Sequence, residues 1–451
     1  MAGLIARLRT STPIALLAAL ALLAASAATA RGASPRLFVF MDALGPLTNP
    51  TALATAPDGA AWFSEYYPDL VGRVDLSGHF TGYPTRGPTR GIAVLANGTV
   101  VATEPLQSAI ALITPRGKVT EIKTPTRRAN PEAIVRGPDG NAWFIETTAN
   151  NPDPGVSAIG RITSSGHITE FPIPPLPLLL FNPPAPPQAQ GTLDAAPTDI
   201  VVGPEGRLWF TTAQGIGSIT VAGRISTISF PFPTNLATLG AAPGGSLWVV
   251  DSDAYLHYYT PGGGVVQGRA ALADPPISFA TSRAGGFYFV ADGDPELWQI
   301  TGRSAPRRAQ RLSGTFQAYN GRAQILAAGP HALAAGPAGT LWLAAAYDQG
   351  GSTGAIAVLD PRGRCITPNL VDDSHIQLEL DLSNHGCSLG RARIASGSYG
   401  QPQLPARFLV VECQRPSPGS VRAPGARVNI ELNAYPINGF HNVPRSTCAG
   451  L

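Results

Sequence analysis

Five carboxylates recur at one spacing. Glu65, Glu104, Glu146, Asp251 and Asp292 each stand six residues after a glycine of a repeated turn. Acids at equivalent positions of a repeat face the same end of whatever the repeat builds. A ring of them supplies oxygen ligands for a cation or counter-charges for a basic ligand. The competing reading is structural, with each acid capping backbone amides of the next repeat. A second slot lies eight residues before the same glycines, and it holds Thr51, Arg90, Glu132, Thr198, Ala237, Ser278 and His331.

The elements that position these side chains are written into the repeat. Gly137-Pro138-Asp139-Gly140 reads as a tight turn, with Pro138 presetting φ and Gly140 accepting a positive φ. Ala142-Trp143-Phe144-Ile145-Glu146 then reads as a buried strand. The same turn and strand recur at 56–65, 203–210, 242–249 and 336–343, with Trp-less copies at 95–101 and 283–289. Most copies lie roughly 40 residues apart, the period of a propeller blade. Around each, a short strand precedes the turn. A strand of the Ile159-Gly160-Arg161-Ile162 type, a Ser-Gly turn and an outer strand such as Ile168–Phe171 follow. Four strands in each of seven repeats predict a seven-bladed β-propeller over 36–362. The last repeat is a strand short, and Leu37–Met41 is the surplus strand that closes blade 7 and leaves no sheet edge open.

Two insertions interrupt the rhythm. Pro172–Ala196 is Pro-rich, and its first part is expected to be extended rather than a central strand or helix. Arg303–Gln324 carries five arginines and reads as a solvated basic loop.

Composition narrows the function classes. A net charge of +3, with no basic run interleaved with aromatics, argues against nucleic acid as a partner. Arg7 and Arg9, the apolar run Ile14–Ala25 and the Ala28-Thr29-Ala30 site predict a signal peptide over 1–30 and an exported chain with no membrane span after cleavage. All four cysteines lie between Cys365 and Cys448, which suggests a separate stapled module.

The block Gly137–Glu146, with Ile159–Ile162, Ser165-Gly166 and Ile168–Pro174, resembles the virginiamycin B (streptogramin B) lyase family. The resemblance covers roughly Leu37 to Asp360. It implies a seven-bladed propeller. It also implies, for the enzymes, Mg²⁺-dependent elimination at the ester of a cyclic depsipeptide, a carbon–oxygen lyase reaction at the mouth of the central channel. The family's Tyr, two His and Glu fall here on Thr51, Ser278, His331 and Ala345, so only His331 matches. An elimination needs a base and an electrophile for the leaving carboxylate. His331 alone supplies one of them.

The C-terminal part, 364–434, resembles a PASTA domain, the module of penicillin-binding proteins and kinases of Gram-positive bacteria. The signals are a predicted helix from Ser374 to Gly386, a strand at Phe408–Glu412, the Gln414–Gly419 turn and Pro424–Leu432 as turn and closing strand. Residues 435–451 form a tail. Cys365 is expected to pair with Cys387 and Cys413 with Cys448, one of three connectivities open to four cysteines. The resemblance implies association with peptidoglycan or another cell-wall component. The favoured reading is an exported or wall-associated protein whose propeller face binds a small molecule or protein. The rival reading is a lyase that uses Mg²⁺.

Overall fold

The computed structural model describes residues 36–40, 50–147, 157–177, 192–231, 236–347 with short interruptions (252, 267, 269–275, 283–285, 292–295, 302–306, 312–314, 318–322 and 326–329), 353–360, 364–367, 382, 387–394 and 409–434. The predicted signal peptide, the tail 435–451, Asp292, Cys448 and nearly all of the predicted helix Ser374–Gly386 lie outside them. The described residues contain seven four-stranded antiparallel sheets, six of them ordered as in the chain. Their first strands are Pro50–Thr55, Ile92–Val94, Asn130–Arg136, Ile200–Val202, Leu236–Ala242, Pro276–Thr281 and Pro330–Ala335. Each first strand packs beside that of the next sheet, and Pro330–Ala335 packs beside Pro50–Thr55. The outer strand of the seventh sheet is Arg36–Phe40, paired with Thr353–Asp360 from Arg36↔Asp360 to Phe40↔Ile356.

The repeated residues have a packing reason. In the third sheet, Gly160 lies across from Phe144, and a Cβ on Gly160 would stand 2.2 Å from the Phe144 ring. Gly72 under Phe63 and Gly217 under Phe210 show the same close approach. The Gly of the third strand is therefore the seat of the Phe of the second. The turn serves the Trp. Asp139 Oδ1 accepts from the indole Nε1 of Trp143 at 2.9 Å, and Arg161 stacks on that ring at 5.5 Å. In the seventh sheet the Trp342 indole instead donates to Gly59 O of the first turn, at 3.2 Å, tying the last sheet to the first. Trp143, Phe144, Trp342 and Phe63 are fully buried. Each side chain withdrawn from water in this way contributes roughly 2–3 kcal/mol.

One expectation changes. Arg303–Gln324 is not a plain loop. Arg307–Arg311 is the outer strand of the sixth sheet, and Thr315–Gln317 pairs with Ala323–Ile325 in a small hairpin. The ladder needs a fourth strand there, and the backbone of an arginine-rich segment can fill an outer edge. The Pro-rich insertion is pinned at its ends, where Leu176–Pro177 pairs with Thr192–Leu193. Leu176, Ile173 and Ala195 pack into the core between the third and fourth sheets.

After Asp360 the described residues form a two-stranded sheet and a three-stranded sheet. Arg364 forms an ion pair with fully buried Asp360 at 2.8 Å and donates to Ala338 O. Cys365–Ile366 pairs with Val421–Arg422, and Ile366 shares a buried cluster with Leu76 and Trp342. Leu409–Arg415 lies antiparallel to Arg427–Ala434, whose other edge carries Ser388–Ile394 in parallel. That third strand is absent from the sequence reading. A disulfide joins Cys365 and Cys387. The Cys413–Cys448 pairing falls outside the described residues. Among the described residues, no helix is long and apolar enough to cross a membrane.

Candidate functional site

The first strands enclose a cavity of about 760 Å³. A bulge shapes its wall. The pairing of first and second strands slips at Pro50/Ala52, Pro131/Ile134, Leu236/Thr238, Pro276/Ser278 and Pro330/Ala332. The extra residue breaks the alternation and re-aims a side chain. Thr51, Glu132 and Ala237 sit at these points and line the cavity, together with Arg90 and Thr198 of the remaining two sheets. In the sixth sheet the bulge falls on Ile277, one residue before the Ser278 given by counting from the turn glycine. Thr281 pairs with Phe287 there as Thr55 pairs with Ala61 in the first sheet, which fixes the equivalence. Ser278 also lines the cavity, and its Oγ accepts from Leu333 N at 3.0 Å.

Hydroxyls of the preceding sheet fix these positions. Ser64 Oγ donates to Arg90 O at 2.6 Å, Thr103 Oγ1 to Glu132 O at 2.8 Å, and Thr198 Oγ1 to Ala237 O at 2.9 Å. Each latch runs from one sheet to the equivalent slot of the next. His331, at the seventh bulge, uses Nε2 to donate to Pro50 O at 2.5 Å. It joins the last sheet to the first.

One polar constellation stands out in the wall. Arg90 Nη1 donates to Glu132 Oε2 at 2.6 Å, and Asn130 Nδ2 donates to Glu132 Oε1 at 2.5 Å and to Thr147 Oγ1 at 3.2 Å. The Arg90 side chain is 56% exposed and that of Glu132 18%. A held but uncovered guanidinium next to hydroxyls and an amide can bind a polar ligand. Nearby Asp199 is different. It is half-buried and accepts from Thr238 Oγ1 at 2.6 Å, Leu239 N at 3.0 Å and Ile200 N at 2.8 Å. Burial raises its pKa, and these donors oppose the rise.

The acid slot falls elsewhere. Its spacing predicts a ring at the channel mouth, but Glu65, Glu104, Glu146 and Asp251 are buried and none lines the cavity. They end the second strands, one strand out from the axis, with a sheet packed on either face. Glu146 pairs with Pro131 on one side and Ala158 on the other. Neither carboxylate oxygen of Glu104 or Glu146 has a hydrogen-bond partner among the described residues. Burial, and then the like charge of Glu121, pushes Glu104 up to about 7, against the pull of the nearby Gly87 and Arg86 amides. Burial, and then Glu170 beside it, pushes Glu146 up to about 8. Asp251 caps a turn, accepting from Asp253 N and Tyr255 N, and meets buried His257 at 2.9 Å. No group of three or more metal-ligating side chains occurs among the described residues. Asn130 and Thr147, which complete the constellation, carry no repeat signal. The bulge that brings them to the wall is not visible in the sequence.

The virginiamycin B lyase family profile matches residues 39–177. A virginiamycin B lyase of Nocardia farcinica is 33% identical over 158 residues, 35% of this chain and 48% of that protein, so the chain spans about half the length of this relative. Two solved structures share the fold. They are a streptogramin B lyase (22% identity, 72% of this chain, 97% of that one, TM-score 0.55) and the virginiamycin B lyase of Staphylococcus aureus (22%, 72%, 99%, TM-score 0.55). The sheets, the cavity and these matches together support a virginiamycin B lyase-like propeller.

Proposed function

We propose that the seven sheets are the blades of one closed propeller, and that its central cavity is a binding site rather than an elimination site. The carrying observation is what the bulges present. Thr51 and Ile277 stand at the first and sixth bulges, and Arg90, Glu132 and Asn130 form the polar cluster. His331 is engaged with a backbone carbonyl. A hydroxyl and an alkyl group do not provide the base and metal anchor that an Mg²⁺-dependent elimination requires. The family resemblance places the lyase's aromatic and second histidine at Thr51 and Ser278, and its glutamate at Ala345.

The same reading makes the chain an exported protein, with 364–434 as a PASTA-like module that associates with the cell wall. Its support is the apolar leader in the sequence and the Cys365–Cys387 disulfide, which is compatible with an oxidising compartment. The first test is incubation of the full chain with a streptogramin B and Mg²⁺. The expected result is intact cyclic substrate, whereas clear ring opening establishes the lyase reading instead. The wall component is tested by sedimentation with purified peptidoglycan, where the chain should pellet. A chain that stays in the supernatant removes the wall association and leaves the cavity reading in place.

A further inference from the structure

We propose that the cavity takes an apolar monocarboxylate, with the carboxylate seated on the free edge of Arg90. This deepens the binding-site reading and rests on it. The guanidinium has five N–H donors in a planar fork. Among the described residues, the Arg90 guanidinium makes one hydrogen bond, from Nη1 to Glu132 Oε2. Glu132 is held in turn by Asn130, so the Arg90 fork is oriented before any ligand arrives. Its uncovered donors match the two oxygens of a carboxylate in a bidentate pair.

Charge selects among oxyanions. Arg90 is the one cation of the lining and faces Glu132, and Asp199, the other ionisable lining group, supplies no positive charge and has its oxygens taken by three donors. The wall therefore offers one cation already facing one anion. A singly charged carboxylate completes it, and a dianionic phosphate meets Glu132 at close range. The rest of the wall sets the body of the ligand. Leu53, Ile134, Leu239 and Phe279 line the same cavity. A volume of about 760 Å³ lies within the range of small-molecule sites.

The test is calorimetric titration of the full chain with benzoate, benzoylglycine and octanoate, alongside benzoylglycinamide and phenyl phosphate. At least one carboxylate should bind saturably at one site. The uncharged amide and the phosphate should bind at least about tenfold more weakly. Arg90→Ala should lose the carboxylate by a similar factor while keeping the wild-type melting temperature, because the side chain is exposed. Glu132→Gln should bind it several-fold more tightly, since a competing anion is gone. A residue with a merely structural role would not give these opposite signs. Equal binding of benzoylglycinamide or phenyl phosphate overturns the proposal, as does full affinity in Arg90→Ala. Failure of all three carboxylates, with a streptogramin left intact, also overturns it and spares the binding-site reading. Ring opening of a streptogramin overturns the reading beneath it.

Discussion

Two rings of residues occupy the same end of the propeller and have different fates. The inner one, at the bulges of the first strands, faces the cavity and holds the Arg90–Glu132–Asn130 cluster. The outer one, at the ends of the second strands, holds Glu65, Glu104, Glu146 and Asp251, all buried inside the sheets. The outer ring is the more regular in sequence, and the inner ring is the more accessible in space. Regularity in a repeat protein records the demands of packing one blade on the next. Exposure at the axis is where residues are released from that demand.

The sharpest way to break this comparison is through pH. The folded protein holds Glu104 near 7 and Glu146 near 8, whereas an ordinary glutamate lies at 4.5. The folded state therefore retains protons that the unfolded chain releases. The contribution of these groups is full below pH 4.5 and is lost as pH rises through about 7 and 8. Across that window Glu104 accounts for roughly 3 kcal/mol and Glu146 for roughly 5 kcal/mol. Denaturant unfolding at pH 5 and pH 8.5 should show the decline in the wild type. The double variant Glu104→Gln, Glu146→Gln should flatten it and be the more stable protein at the higher pH. An unchanged slope in that variant would mean that water reaches these carboxylates, which would return the outer ring to the list of accessible sites.

The blade pattern was legible because packing imposes it on every copy. The Gly of the third strand must lie under the Phe of the second, as Gly160 does under Phe144, and the turn must satisfy or abut the Trp. The surplus strand at one end of the chain and the shortfall at the other likewise follow from the need to pair every edge, and Arg36–Phe40 pairs with Thr353–Asp360. The site was much less legible. Counting from turn glycines finds Thr51, Arg90 and Glu132, but it misses the shift to Ile277, because the sixth turn offers two adjacent glycines, Gly285 and Gly286, and the count from the second is one residue late. Asn130 and Thr147 reach the wall through the slip between Pro131 and Ile134, a property of the ladder rather than of residue type. The acids mislead for the opposite reason. Their spacing is real, but a second strand has a sheet on either face, and charge alone does not say so.

Asp199 tests whether lining the cavity is enough to make a residue functional. It belongs to the wall, yet Thr238, Leu239 and Ile200 occupy its oxygens. Asp199→Ala leaves those three donors buried without an acceptor, at about 1–3 kcal/mol each where no water replaces it, so a total loss of roughly 3 kcal/mol is expected. Asp199→Asn, which keeps an acceptor in place, should lose about a third of that. Chemical denaturation of the two variants measures both. A loss well under 1 kcal/mol for the alanine variant would show that Asp199 is reachable from the cavity and belongs with Arg90 rather than with the buried acids.

The smallest effect is the most specific, because it lies where the two rings meet. Thr103 is buried on the second strand of the second sheet, directly before Glu104. Its Oγ1 donates to Glu132 O and accepts from Gly91 N, both at 2.8 Å. One hydroxyl thus holds the residue after Arg90 and the carbonyl of its partner Glu132. Thr103→Val keeps the shape and removes both bonds. The loss in stability should be about 1–2 kcal/mol, since two neutral hydrogen bonds go and their buried partners remain. Carboxylate affinity should fall by more than this modest loss suggests, because the Arg90–Glu132 geometry is no longer fixed before binding. Thr103→Ser, which restores the hydroxyl, should recover both. If Thr103→Val loses stability and keeps full affinity, the latch serves only the packing of the blades, and the inner ring is oriented by the Arg90–Glu132–Asn130 contacts alone.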